Sequence, residues 1–104
     1  MTYKIVVSQR ANEQMEEIIA YIMQKLQNRQ AAKAVYDDIM NAYDKLEYMA
    51  EATALCEDPY LAVKGYRRLA LEHHNYILLY QVDGNMVYVN GIFHMLEDYQ
   101  EKIR

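Results

Sequence analysis

The sequence predicts an α+β fold in the order β-α-α-β-β-β-α, with a helical hairpin packed on one face of a small, mainly antiparallel sheet. Two patterns predict it. Apolar residues recur at helical spacing between residues 11 and 49, whereas residues 66–93 either alternate at a period of two or run continuously apolar. The 104 residues suit one domain, 1–104, and are too few for two independent cores.

The first half of the chain predicts one strand and two helices. Residues 3–7 (Tyr-Lys-Ile-Val-Val) are rich in β-branched side chains and end at Ser8, which can cap a helix. A helix is expected to begin near Arg10, and Asn28 interrupts its pattern and can cap a second helix. The two apolar stripes are Ala11, Met15, Ile18, Ile19, Ile22 and Leu26, then Ala32, Val35, Ile39, Ala42, Leu46 and Met49. So short a connection predicts an antiparallel hairpin.

The second half predicts a loop, three strands and a final helix. Residues 52–64 contain the only proline, preceded by two acidic residues, and are predicted to form a surface loop. Strands are predicted over 66–71, 76–82 and 86–93, with a tight turn at Asp83-Gly84. Residues 95–104 are expected to form the last helix.

Composition and charge limit the classes of function that the chain can have. The net charge is −4, and residues 9–60 carry ten acidic against five basic side chains, so the overall balance does not indicate nucleic-acid binding. The one cysteine, Cys56, has no partner for a disulfide and is interpreted as a small buried residue. No apolar run has the length of a membrane span and the amino terminus lacks a secretory pattern, so a cytoplasmic location and no membrane partner are expected.

Several segments, in their order and spacing, resemble the RelE/ParE superfamily of bacterial toxins from type II toxin–antitoxin modules. They are Tyr3-Lys4-Ile5, Ala11, Glu17-Ile18, Tyr21-Ile22, Tyr66-Arg67-Arg68-Leu69, Tyr76-Ile77-Leu78-Leu79-Tyr80, Ile92-Phe93-His94 and Asp98-Tyr99. The resemblance implies a small cytoplasmic toxin that inhibits growth and is neutralised, in a hetero-oligomer, by an antitoxin encoded beside it. It also implies one of two activities, because RelE-like members cut messenger RNA on the ribosome whereas ParE-like members poison DNA gyrase.

The basic residues of the chain decide between these two activities. In the RelE-like pattern several strands contribute cations, and here Arg67 and Arg68 supply only those of the second strand. Ile77 stands where a basic residue is often found, while His94 followed by Asp98 resembles the ParE-like pattern. The resemblance therefore favours ParE-like inhibition of a protein target such as DNA gyrase. A ribosome-dependent endoribonuclease and a degenerate, non-toxic antitoxin-binding protein are the alternatives.

His94 is the candidate for acid–base chemistry, because an imidazole can exchange a proton near neutral pH. Tyr99 could lie beside it. Arg67 and Arg68, at the entrance of the strand meander, could approach it and offset the charge that builds on a phosphorane. The alternative for His94 is structural: it bonds a backbone carbonyl or Asp98 and ties the last helix to the sheet.

A second set of candidates could bind the target. Lys64, Arg67 and Arg68 form the local basic cluster, and Tyr66 and Tyr76 stand near it, which suits a phosphate or a stacked base. The alternative is a solvated strand edge that carries charge against aggregation.

No cofactor or metal is expected. His73 and His74 are adjacent in an extended stretch and so point apart, and the lone cysteine and scattered carboxylates do not make a zinc pattern. The methionines are interpreted as core fillers, of which a few could line a groove for the antitoxin.

Overall fold

The computed structural model describes residues 2–96 of the chain. Its elements are β1 (Lys4–Val7), α1 (Gln9–Gln24), α2 (Arg29–Met49), α3 (Pro59–Val63), β2 (Arg67–Ala70), β3 (Tyr76–Asp83) and β4 (Met86–His94). The predicted order is confirmed through β4, with α3 as an addition. The predicted final helix lies, apart from Met95 and Leu96, outside the described residues.

The four strands form one sheet in the order β1-β4-β3-β2. β1 pairs with β4 in parallel, and the other two pairs are antiparallel, as the prediction of a mainly antiparallel sheet requires. β4 is therefore central, although it comes last among the described strands. Beyond Val89 it has no partner in β1, and there the Gln14 side chain of α1 accepts a hydrogen bond from the Ile92 amide at 2.9 Å. This hydrogen bond gives the Ile92 amide an acceptor where β4 has no neighbouring strand. It also fixes α1 against the end of β4.

Both long helices begin at the predicted caps. Ser8 Oγ accepts from the Ala11 amide at 3.0 Å, and Asn28 Oδ1 accepts from the Ala31 amide at 3.0 Å. Only residues 25–28 connect the helices, and Gln27 takes a positive φ of 49° there, which closes the turn. The apolar stripes of the hairpin pack on the sheet around Leu78, Tyr80, Val87 and Val89 in one buried cluster, which does not include the last predicted member of either stripe. The prediction is wrong at Leu26, which lies beyond the end of α1 and is 57% exposed.

The prediction of a loop throughout residues 52–64 is wrong at α3. Asp58 caps this short helix, accepting from the Leu61 amide at 3.1 Å, and Pro59 occupies its first turn, where proline costs no hydrogen bond. Leu61 is fully buried and packs with Cys56 on the face of the sheet opposite the hairpin. The sheet is therefore covered on both faces, and the interpretation of Cys56 as a buried residue is confirmed.

A bulge in β4 decides which side chains face the helices. Leu79 pairs with Gly91 but Tyr80 pairs with Val89, so Asn90 is the extra residue. Before it, Val87 and Val89 face the hairpin; after it, Ile92 faces the hairpin and Phe93 faces α3. The bulge therefore turns His94, which pairs with Tyr76, toward the helices.

Asp38 of α2 is buried and charged, with 3% of its surface exposed. Its Oδ2 accepts from the His73 amide at 3.0 Å and lies 2.7 Å from His74 Nδ1. Burial would raise the pKa of Asp38, but the hydrogen bonds from His74 and the His73 amide, with the charge of those imidazoles, outweigh it and leave the pKa lowered. The carboxylate thus fastens the β2–β3 connection to the helical hairpin.

Candidate functional site

His94 lies half-buried at the end of β4, on the face of the sheet that the helices cover. Its ring packs edge-on against Tyr76, with centroids 5.3 Å apart and planes at 84°. Its Nδ1 accepts from the Leu96 amide at 3.1 Å, so a neutral ring carries its proton on Nε2. This hydrogen bond from the Leu96 amide ties the chain that follows β4 to the sheet, which is consistent with the structural role of His94.

A cavity of about 400 Å³ opens beside His94. Arg10, Gln14, Glu17 and Tyr21 of α1 line its other wall. A second cavity of about 370 Å³ shares His94, Tyr21 and Tyr76 and adds His73 and His74. Acid–base groups and phenols thus surround His94, whereas Arg67 and Arg68 line neither cavity.

Arg67 has a structural role. It is half-buried, pairs with Tyr80 in the sheet and donates from Nη1 to the carbonyl of Thr53, in the segment that follows α2. The Tyr80 hydroxyl bonds Thr53 Oγ1 and donates to the Ala50 carbonyl at 2.7 Å. Burial raises the pKa of Tyr80, while the Thr53 hydrogen bond and the Arg67 charge oppose part of that rise. Arg67 thus holds the end of α2 against β2 and β3.

The remaining basic candidates lie on the opposite face. Arg68 is exposed and pairs with Leu79, whose side chain packs with Cys56 and Leu61. Burial raises the pKa of the Cys56 thiol, and the Arg68 charge lowers it in part. Lys64 is exposed, with its Nζ 4.8 Å from the centroid of the Tyr60 ring.

The predicted site residues are thus divided among three places. His94 and Tyr76 lie together at one end of the helix face. Arg67 lies toward the other end of that face, because it pairs with Tyr80 while His94 pairs with Tyr76. Lys64, Tyr66 and Arg68 belong to the α3 side, where Tyr66 packs against the Cys56 cluster. The structure does not bring the arginine pair to the histidine, and Tyr99 lies outside the described residues.

Sequence reasoning missed two features. Asp38 stands three residues after Val35, within the buried stripe of α2, so a polar residue in an apolar pattern was the available signal. The exposed apolar side chains of α3 were missed because the helix itself was not predicted, although Asp58-Pro59 is a cap followed by a first-turn proline.

Neither a metal site nor a membrane helix is found in the described part of the chain. No group of three or more His, Cys, Asp or Glu side chains among residues 2–96 is arranged to hold a metal ion. No helix among the same residues is long and apolar enough to cross a membrane.

Comparison with known proteins places this fold among bacterial toxin–antitoxin proteins. A chain of a solved structure, described as the chromosomal ParDE TA system from P. aeruginosa, superposes with a TM-score of 0.74 at 20% sequence identity, covering 89% of this chain and 96% of that chain. Residues 5–99 match the ParE toxin family of type II toxin–antitoxin systems, parDE, and the chain belongs to that family. No curated protein matches the sequence. The predicted membership of the RelE/ParE superfamily is confirmed.

Proposed function

We propose that this chain is the toxin of a two-component module that arrests growth in the cytoplasm by binding a protein target, with DNA gyrase the first candidate, and that a cognate antitoxin neutralises it. One observation favours inhibition by binding a protein target over cleavage of RNA. The sheet separates Arg68 from His94, and Arg67 is engaged with the Thr53 carbonyl, so neither arginine of β2 joins the acid–base group. Among the described residues, Arg10 is the one basic side chain on the wall of the cavity beside His94.

The geometry of His94 supports the same choice. The imidazole bonds the Leu96 amide and packs edge-on against Tyr76, which are contacts that hold the end of β4. A side chain that is used to hold backbone in place needs no substrate to explain it. We therefore assign His94 to positioning the end of the sheet.

Antitoxin binding is supported by an apolar groove along the helical hairpin. Met15, Ile19, Ala20, Met23 and Tyr36 line an apolar groove of about 390 Å³ between α1 and α2, with Glu16 and Gln24 beside them. Methionines adapt to the shape of a partner, and a disordered segment with an apolar face can fold into such a groove.

Two purified assays test the mechanism. The chain is added to DNA gyrase with relaxed plasmid, and separately to a reconstituted translation reaction in which the messenger RNA is followed. We expect supercoiling to fail at concentrations that leave the messenger RNA intact. Cleaved messenger RNA with normal supercoiling would instead establish the endoribonuclease, and failure to arrest growth on expression would establish the non-toxic alternative.

Substitution of His94 distinguishes inhibition by binding from acid–base catalysis. A folded His94→Gln variant is expected to keep its inhibition within about threefold, as is the matched variant His73→Gln, whose side chain is mostly exposed. Loss of a general acid or base costs about 10²–10⁴-fold in rate. A loss of that size in His94→Gln alone, with an unchanged circular dichroism spectrum, would contradict the proposal.

The antitoxin is tested with the product of the adjacent gene. Met23→Asp, in the groove, is expected to leave toxicity intact and to prevent rescue by that product, because a carboxylate is placed in an apolar interface. Tyr48→Asp introduces the same charge on α2 at a position that is 72% exposed and does not line the groove, and it should be rescued like the unmodified chain. Equal rescue of both variants would exclude the groove.

A further inference from the structure

We infer that the groove between α1 and α2 receives a basic amphipathic helix of the antitoxin, and that a lysine or arginine of this helix pairs with Glu16. The inference rests on the proposed binding of an antitoxin in the groove, and it adds the chemical character of the segment that binds there. The shape of the groove, the charge in its lining and the charges of the surrounding hairpin support it.

The apolar lining of the groove repeats along α1 with the spacing of helix packing. Met15, Ile19 and Met23 stand four residues apart on one side of α1, and Tyr36 of α2 forms the other wall. Side chains four residues apart form the ridges against which a second helix packs. Residues 15–23 span about 12 Å, or about two turns, at the rise of an α-helix. A short helix with apolar side chains at the same spacing therefore fits the groove.

Glu16 supplies the one charge among the described residues that line the groove, because the other polar side chains, Gln24 and Tyr36, are uncharged. The Glu16 carboxylate is exposed, and its Oε1 accepts from the Asn12 side chain at 2.9 Å. This amide brings no positive charge, and Glu16 is in none of the ion pairs found among residues 2–96. A helix that covers the groove removes water from the carboxylate, which is unfavourable unless the helix also brings a cation.

The charges around the groove determine the direction in which a basic helix can lie. On the α2 side, Lys33 pairs with Asp37 at 2.7 Å, so these two charges offset each other. Arg29 begins α2 beside the connection, whereas Glu16 lies about two turns of α1 away from that connection. A cation of the partner is therefore attracted at Glu16 and repelled at the connection. Residues 9–51 contain eight acidic against five basic residues, so the hairpin as a whole also attracts a basic segment.

The affinity of the antitoxin for three variants tests the inference. The product of the adjacent gene is titrated by calorimetry into the unmodified chain, Glu16→Lys, Glu17→Lys and Met23→Asp, and circular dichroism verifies that each variant folds. Glu16→Lys is expected to raise the Kd by at least about tenfold, because it brings two like charges together. Glu17→Lys makes the same change at the next residue, which lines the cavity beside His94 and not the groove, and its Kd should stay within about twofold.

A charge exchange identifies the partner's cation directly. Each lysine and arginine of the antitoxin is replaced by glutamate in turn. One of these antitoxin variants is expected to bind Glu16→Lys more tightly than it binds the unmodified chain, because the exchange restores a pair of opposite charges. If no antitoxin variant shows this reversal, the pairing with Glu16 is refuted.

Each result decides a different question. If Met23→Asp abolishes binding while Glu16→Lys binds as tightly as Glu17→Lys, or more tightly, the inference is overturned and the groove remains the antitoxin site. If Met23→Asp binds like the unmodified chain, or if the unmodified chain itself does not bind, the proposed antitoxin site fails and the inference fails with it. If sedimentation of the chain alone shows a dimer that Met23→Asp dissociates, the groove belongs to a second copy, which also overturns the inference.

Discussion

Replacement of Asp38 tests how the β2–β3 connection is fixed to the helices. The carboxylate is 3% exposed and accepts from the His73 amide and from His74 through one oxygen. Asp38→Ala leaves that buried amide without its acceptor, which costs about 1–3 kcal/mol, and also removes a charge-assisted bond worth about 1.5–3 kcal/mol. His74 is 29% exposed and regains water contacts, so the lower end of the combined range applies.

The expected loss in the free energy of unfolding is therefore about 2.5–3 kcal/mol for Asp38→Ala. Asp38→Asn keeps an acceptor oxygen for the His73 amide but places an NH2 group where the buried Oδ1 has no partner among the described residues, so it should lose about 1–2 kcal/mol. Asp37→Asn is the matched control. The neighbouring carboxylate is exposed and, among the described residues, forms its ion pair with Lys33 across one helical turn, so its loss should stay below about 0.5 kcal/mol. Urea unfolding at pH 7, followed by circular dichroism, measures all three.

The pH dependence has a definite sign. The pKa of Asp38 is lower in the folded chain than its ordinary value, which is about 3.9 in an unfolded chain. The contribution of the ionised Asp38 side chain to the free energy of unfolding is thus fully present at pH 5. It is lost as the pH falls below about 4 through the pKa of the folded chain. The difference between the unmodified chain and Asp38→Asn should shrink over that interval. An Asp38→Ala variant within 0.5 kcal/mol of the unmodified chain at pH 7, or a difference that grows as the solution is acidified, would refute this account.

Two further substitutions test the packing around the sheet. In Gly91→Ala the new Cβ would lie 3.0 Å from Phe93 Cζ and closer still to Cε2, and that ring is 1% exposed and cannot withdraw; thermal unfolding should show a loss of about 1–3 kcal/mol, and an unchanged melting temperature would disprove the close approach. The Tyr43 hydroxyl is buried without a hydrogen-bond partner among the described residues, and burial raises the pKa of Tyr43 to about 12. Tyr43→Phe should therefore unfold at the same or a higher urea concentration, with a gain of up to about 1 kcal/mol, and a loss above that size would reveal a bond to this hydroxyl.

The elements that could be predicted from the sequence are those that local chemistry determines. The caps Ser8 and Asn28 predict where each long helix begins, and its apolar stripe predicts which side it buries. The structure confirms both, except at Leu26, which lies beyond α1 and is exposed. The start of α3 could have been predicted, because Asp58-Pro59 is a cap followed by a first-turn proline. Its five residues, however, are too few for a periodic apolar pattern to appear.

The arrangement of the candidate site depends on features that no local pattern encodes. Alternation along β2 already separates Arg67 from Arg68, and the sequence contains that information. The face that His94 takes follows from the bulge at Asn90, and a count of alternate residues from Val89 would have placed it on the α3 side. Likewise, the burial of Asp38 is explained by His73 and His74, which lie in the β2–β3 connection and are distant from it in sequence.

The parallel pairing of β1 with β4 has a consequence for the order of events during translation. Lys4 pairs with Met86, so the first strand has no neighbour in the sheet until nearly the whole chain has been synthesised. The helical hairpin needs only contacts between nearby residues and can form much earlier. A nascent chain that has not yet produced β4 therefore presents the hairpin without a completed sheet beneath it. An antitoxin that recognises the hairpin meets its binding surface before the rest of the toxin exists.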